Sequence, residues 1–228
     1  MEPTVRAVQL VTVYILPIIF AITLHEAAHG YVARYFGDST AYLAGRVSLN
    51  PVRHIDPVGT ILMPVLTLML SAFSSGSGFL FGWAKPVPVS FGNLRNPKRD
   101  MLWVALAGPA MNLFMALLWM GFLKIQLSSN IGEIFFLEMA HVGVRINLMF
   151  MLLNLLPILP LDGGRIVVSL LPPKAAWKFA QLEPYGLFIL IALVMIPGVL
   201  STILLPLLSF ANSALLFLFN IPPSVYVS

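Results

Sequence analysis

The stretch Val8-Gln9-Leu10-Val11-Thr12-Val13-Tyr14-Ile15-Leu16-Pro17-Ile18-Ile19-Phe20-Ala21-Ile22-Thr23-Leu24-His25-Glu26-Ala27-Ala28-His29 decides the fold. It is apolar as far as Leu24 and then places three ionisable side chains in five residues. An apolar run of this length suits a membrane crossing. It resembles the core of a signal peptide, but no small-residue cleavage site follows, so it reads as a retained transmembrane helix. The helix is expected over residues 8–36, with Gly37-Asp38 ending it in turn chemistry.

The rest of the chain extends this reading. Of its 228 residues 59% are hydrophobic and only 10% charged, and the mean hydropathy is +0.92. That leaves too little polar surface for a water-soluble globule and predicts one membrane-embedded domain over residues 1–228. Further spans are expected over about residues 101–123, 134–161 and, as two passes folding back near Pro197-Gly198 or Pro206, 185–219. Residues 57–83 are apolar but interrupted by Gly59, Pro64 and the run Ser74-Ser75-Gly76-Ser77-Gly78. Residues 40–51 and Lys85-Pro86-Val87-Pro88-Val89 read as extended backbone, which membrane depth tolerates only where protein or a wet cavity satisfies it. The expected class is an all-α polytopic membrane protein with about five or six transmembrane or re-entrant helices and a small extended or β element near the site.

Cysteine is absent, which excludes disulfides, thiolate nucleophiles and sulfur-ligated metals. The net charge of +4 does not point to nucleic acid, because the basic residues are scattered between apolar spans, where they orient a protein in the bilayer.

The chemistry lies in His25-Glu26-Ala27-Ala28-His29. Histidines four apart on a helix share one face and can share a metal, and the pattern His-Glu-x-x-His pairs two neutral imidazoles with a carboxylate that takes a proton from the attacking water. The pattern also arises by chance on the wet faces of soluble helices. Inside an apolar span, however, three ionisable groups need a partner, and a metal satisfies all of them. A catalytic zinc site needs a third protein ligand. Among nine acidic residues, Asp162 stands out at the end of an apolar span, before Gly163-Gly164, two residues that let the backbone break and aim the carboxylate inward. The competing reading is an ordinary Asp-Gly turn. His54, in a polar loop, and His141, near a span end, are weaker ligand candidates. Asn112 and Asn154 are amides in apolar surroundings; each serves either as helix–helix glue or as a donor to the scissile carbonyl as charge develops on it.

The motifs His25-Glu26-x-x-His29, Gly108-Pro109-x-x-Asn112 and Asn154-x-x-Pro157-x-x-x-Leu161-Asp162-Gly163 together resemble those of the site-2 protease family. Gly37-Asp38, Asn50-Pro51, Asp56-Pro57-x-Gly59-Thr60 and Gly82-Trp83-Ala84-Lys85-Pro86-Val87-Pro88-Val89 are similar to its compact prokaryotic branch, which lacks PDZ and CBS domains. The resemblance implies zinc-dependent cleavage of membrane-spanning protein substrates, with one Zn2+ per chain on His25, His29 and Asp162. It implies Glu26 as base, Asn112 and Asn154 as substrate-stabilising residues, and control by a second protease or a regulatory membrane protein. It also implies the cell membrane of a prokaryote as location.

Charge distribution tests the metal reading. Ten of the thirteen Lys and Arg residues fall in three connections: Arg34, Arg46 and Arg53; Lys85, Arg95, Lys98 and Arg99; Arg165, Lys174 and Lys178. The positive-inside rule puts all three on the cytoplasmic side. His25, His29 and Asp162 then meet at one depth if residues 57–83 form a re-entrant or hairpin segment, about 25 Å from the outer surface at the α-helical rise. The extended pieces would line the cavity and could pair with an unwound substrate as an added strand. A metal-ion transporter is the main alternative, but it leaves Glu26 unexplained and would more often show repeated polar sets in two halves. A non-catalytic scaffold would more often have lost one of the four site residues.

Overall fold

A computed structural model describes residues 3–62, 85–129, 133–196 and 198–223. Its helices are α1 (Pro3–Tyr35), α2 (Thr40–Leu43), α3 (Pro97–Ser128), α4 (Ile134–Asn154), α5 (Asp162–Leu170), α6 (Pro173–Ala180), α7 (Glu183–Met195) and α8 (Val199–Leu218). Short 3-10 turns occupy Pro51–His54 and Phe91–Asn93, and a π-helical turn occupies Pro57–Leu62. Among the described residues, four helical segments are long and apolar enough to cross a membrane: Thr12–Tyr35, Pro97–Ser128, Ile134–Asn154 and Val199–Leu218. The protein is an all-α polytopic membrane protein.

The core follows from helical periodicity. Ala116, Met120 and Leu123 share one face of α3, and Ala140, Val144 and Leu148 share one face of α4. These faces close on each other and on Leu208, Leu215 and Leu216 of α8. Large side chains such as Phe188, Phe210 and Phe217 remain exposed, as a lipid-facing surface requires. Pro17, Pro109 and Pro206 lie inside α1, α3 and α8, and such interruptions are tolerated where neighbouring groups take up the freed carbonyls.

Contacts between spans give their directions. His25 meets Asn112 and, one turn later, His29 meets Val104, so α1 and α3 are antiparallel. Asn112 meets Asn147, and Trp119 packs on Gly143, so α3 and α4 are antiparallel too. Hence α4 runs parallel to α1 and ends on the same side, and a turn over 155–161 carries the chain into α5.

Several expectations are refined. The third span ends at Asn154, and Asp162 opens the separate helix α5 rather than closing that span. Gly163 and Gly164 are not needed for a left-handed backbone, which occurs at Gly37, Gly45 and Gly198. They are needed for approach: a Cβ on Gly163 would lie 2.3 Å from the carbonyl oxygens of Leu155 and Leu156, and one on Gly164 would lie 2.5 Å from the Leu159 nitrogen. The C-terminal apolar stretch breaks at Gly198, with φ of 86°, while Pro206 stays within α8. Of the segment expected to be re-entrant, residues 57–62 form the π-helical turn, and residues 63–84 lie outside the described residues.

No strand forms among the described residues, so the expected β element is not present there. Residues 40–43 are helical, and residues 85–90 carry no regular secondary structure. The reason is donor supply. Pro86 and Pro88 have no N–H, and the N–H groups of Lys85, Val87 and Ser90 go to the His54 carbonyl, Glu26 Oε2 and Asp38 Oδ2.

Candidate metal centre

His25 and His29 stand one turn apart on α1, both buried, and the start of α5 brings Asp162 to them. The three atoms that face one another are His25 Nε2, His29 Nε2 and Asp162 Oδ2. Their separations are 3.1 Å between the imidazoles, 3.2 Å from His25 to Asp162 and 3.4 Å from His29 to Asp162. A tetrahedral zinc with bonds of about 2.05 Å holds its ligands about 3.3 Å apart. The triangle has that size, and among the described residues these three form the group able to hold a metal.

Hydrogen bonding fixes what the three atoms offer. His25 Nδ1 lies 2.6 Å from Asn112 Oδ1, and His29 Nδ1 lies 2.7 Å from the Val104 carbonyl oxygen. Both partners only accept, so each Nδ1 carries the proton and donates, and each neutral ring turns the lone pair of Nε2 inward. The orientation of Asn112 is itself determined, because its Nδ2 donates to the Ala21 carbonyl at 3.2 Å and to Asn147 Oδ1 at 3.1 Å. Asp162 Oδ2 is buried and receives no hydrogen bond. Two lone pairs and a carboxylate oxygen therefore converge without a donor among them. That arrangement is costly in a dry site unless a cation occupies its centre.

Gly108 makes the convergence possible. A Cβ there would lie 2.4 Å from His29 Nε2 and 2.5 Å from His25 Nε2, so α3 can lean on the imidazoles only with a bare backbone. Gly30 does the same on the other side of α1, where a Cβ would meet Val47 at 2.8 Å and Val87 at 3.3 Å.

Glu26, half-buried beside His25, accepts the Val87 N–H on Oε2 at 2.9 Å. The extended segment that carries Val87 is anchored at both ends. Arg46 Nη2 donates to the carbonyls of Lys85 at 3.0 Å and Pro86 at 3.4 Å. Asp38, fully buried, accepts from the Ser90 N–H, the Thr40 N–H and hydroxyl, and the Asn93 amide. Burial alone would raise the pKa of Asp38, but the Thr40, Ser90 and Asn93 hydrogen bonds together hold it below the ordinary carboxylate value. The N–H groups of Lys85, Val87 and Ser90 are thus committed within the chain.

The other sequence candidates fall as follows. Asn112 is fully buried behind His25 with both amide hydrogens engaged. Asn154, at the end of α4, donates one amide hydrogen to the Phe150 carbonyl at 3.0 Å, and an amide has a second to give. His54 is buried with Nε2 on the Ser48 carbonyl at 2.8 Å, and neither it nor His141 joins the cluster. Asn147 and Val104 were not singled out by sequence reasoning, and Gly108 only as part of a motif, without a role. Asn147 could have been, since an amide inside an apolar span raises the same question as Asn112. An open apolar cleft of about 350 Å³ lies between α1 and α3, lined by Phe20, Leu24, Met115, Leu118, Trp119 and Phe122; it does not include the three converging residues.

The comparisons agree with this chemistry. The chain is 35% identical over 218 residues to "Putative zinc metalloprotease YwhC" of Bacillus subtilis (strain 168), covering 90% of each chain. It is 30% identical over 198 residues to "Putative zinc metalloprotease Rip2" of Mycolicibacterium smegmatis, covering 86% of this chain and 72% of the relative. The protein of the same name from Mycobacterium tuberculosis strain H37Rv is 29% identical over 177 residues. No family model matches the chain, and no solved structure matches it. With its His-Glu-x-x-His helix, its Asp162 carried back to that helix and these relatives, the chain belongs to the site-2 protease family of zinc metalloproteases.

Proposed function

We propose that this metalloprotease is an intramembrane endopeptidase that hydrolyses a peptide bond within the transmembrane segment of a membrane-protein substrate. The observation that carries the reading is the triangle of His25, His29 and Asp162, three acceptor atoms 3.1 to 3.4 Å apart, with both histidines on a helix of membrane-spanning length and composition. The donor set of two imidazoles and one carboxylate fits zinc. Zinc held there would acidify a water and polarise the scissile carbonyl.

The chain's own residues supply the rest. Glu26 takes the proton of the attacking water on the carboxylate oxygen that Val87 leaves free, and returns it to the leaving amine when the C–N bond breaks. The second amide hydrogen of Asn154 donates to the carbonyl oxygen of the substrate as negative charge gathers there. Asn112 acts behind the metal rather than on the substrate, because its amide hydrogens are already used. The ends of α1 and α4 and the start of α3 share one side with most of the basic residues, which supports a site toward the cytoplasmic face of a prokaryotic cell membrane. A substrate protein of the bilayer and a separate regulatory membrane protein are the partners this reading calls for.

The test is cleavage of a single-span model substrate in detergent by wild type, Glu26→Gln and Asp162→Ala, with bound zinc quantified in each. The expected result is cleavage by wild type, retained zinc without cleavage in Glu26→Gln, and lost or weakened zinc in Asp162→Ala. Normal cleavage by Glu26→Gln would overturn the mechanism.

A further inference from the structure

We propose that Asn147 is a positioning residue of the metal centre, which sets through Asn112 the ring face that His25 presents to the ion. The inference rests on the metalloprotease reading above. Three amide and imidazole groups from three helices form one chain of hydrogen bonds. Asn147 Nδ2 donates to the Gly143 carbonyl at 2.8 Å, Asn147 Oδ1 accepts from Asn112 Nδ2 at 3.1 Å, and Asn112 Oδ1 accepts from His25 Nδ1 at 2.6 Å. Both asparagines are fully buried.

The sense of this chain is set at its far end. The Gly143 carbonyl can only accept, so it holds the amide of Asn147 with nitrogen toward its own helix and oxygen toward α3. That oxygen in turn holds the nitrogen of Asn112, and the oxygen of Asn112 is left for His25. If Asn112 turned over, its NH2 would face His25 Nδ1, the ring proton would move to Nε2, and the lone pair aimed at the metal would be lost. The other restraint on Asn112, the Ala21 carbonyl at 3.2 Å, belongs to the turn of α1 preceding His25 and moves with that helix. Asn147 is therefore the partner from outside α1 that selects the tautomer. Partners of metal-bound histidines of this kind typically contribute ten- to a hundredfold to affinity.

A purely structural role as glue between α3 and α4 would lower thermal stability without touching the His25 tautomer, so the tautomer is the deciding readout. In chelator-stripped wild type with ring-15N histidine, the His25 signal, identified by its absence in His25→Gln, is expected in the Nδ1–H form. An Nε2–H form would overturn the proposal. In Asn147→Leu the Nε2–H form should appear and zinc affinity, measured by chelator competition, should fall about tenfold or more. Asn147→Asp, neutral in this apolar site, keeps one donor and one acceptor and should restore most of the affinity. In Asn112→Asp, whose carboxyl group offers His25 an acceptor without having to be turned, adding Asn147→Leu should cost less than about threefold. Wild-type affinity in Asn147→Leu overturns the proposal. Should that variant not fold, the wild-type tautomer and Asn147→Asp decide. If wild type binds no zinc, the metalloprotease reading fails, while the tautomer still tests Asn147.

Discussion

The backbone N–H of Val87 is hydrogen-bonded to Oε2 of Glu26 at 2.9 Å across 61 residues of sequence. The Glu26 carboxylate is thus steered by a main-chain group on a segment with few other donors, and its direction depends on how that segment is anchored.

Removing that donor should slow proteolysis without disturbing the metal. Val87→Pro, between Pro86 and Pro88 in a segment without regular secondary structure, deletes the N–H and with it a hydrogen bond to a carboxylate worth about 1.5–3 kcal/mol. Cleavage is expected to fall about tenfold or more with zinc content unchanged. An unchanged rate would show that Glu26 does not depend on Val87.

Gly108→Ala should abolish metal binding. The added methyl would sit 2.4 Å from His29 Nε2 and 2.5 Å from His25 Nε2, which the helix cannot relieve without moving α3 away from α1. Metal analysis of the purified variant, beside circular dichroism to show that the helices persist, is the check; full zinc occupancy would contradict the close approach.

Asp38 predicts an acid limb. Its folded pKa lies below its ordinary value of 3.8, so the unfolded chain binds more protons across that interval and stability rises with pH there. The contribution is complete above the unfolded value and is lost as pH falls through the lower folded one. Asp38→Asn should flatten the dependence of melting temperature on pH below about 4, whereas Asp38→Ala, which removes the acceptor of the part-buried Thr40, Ser90 and Asn93 donors, should cost about 2 kcal/mol at neutral pH. An acid limb identical in wild type and Asp38→Asn would refute the assignment.

Metal removal should destabilise the fold, because an ion held by His25, His29 and Asp162 would join α1 to α5. A ligand present at a thousand times its Kd contributes about 4 kcal/mol. Chelation should lower the melting temperature of wild type, zinc should restore it, and Asp162→Ala should respond to neither. A chelator effect of equal size in Asp162→Ala would place the relevant metal elsewhere.

Much of this was legible before any coordinates, for reasons particular residues make plain. A period of four in an apolar helix places His25 and His29 together whatever else the chain does, and acids are so scarce that Asp162 had few rivals. Gly163-Gly164 announced a special backbone, but conformational freedom and close approach leave the same residue in the sequence, and only the nearness of the Leu155 and Leu156 carbonyls distinguishes them. Lys85 to Val89 read as extended backbone, and the structure gives it no regular secondary structure. Its alternating prolines also removed the donors a sheet needs, and the destinations of the remaining N–H groups depend on Glu26, Asp38 and His54, which are remote in sequence. Asn112 read as either helix–helix glue or a donor to substrate, since an amide in an apolar span needs a partner of some kind, and the acceptors that take its hydrogens, Ala21 and Asn147, are visible only once three helices are packed.

The parallel course of α1 and α4 has a consequence for the birth of the protein. A chain emerging from the ribosome carries His25, Glu26 and His29 into the bilayer with its first span, yet the third converging carboxylate belongs to a helix that follows the span ending at Asn154. Until that late segment folds back, a newly made molecule holds only two of the three groups. A chain interrupted before Asp162 therefore lacks one of the three converging groups, and the cluster can assemble only after the span ending at Asn154 has been made.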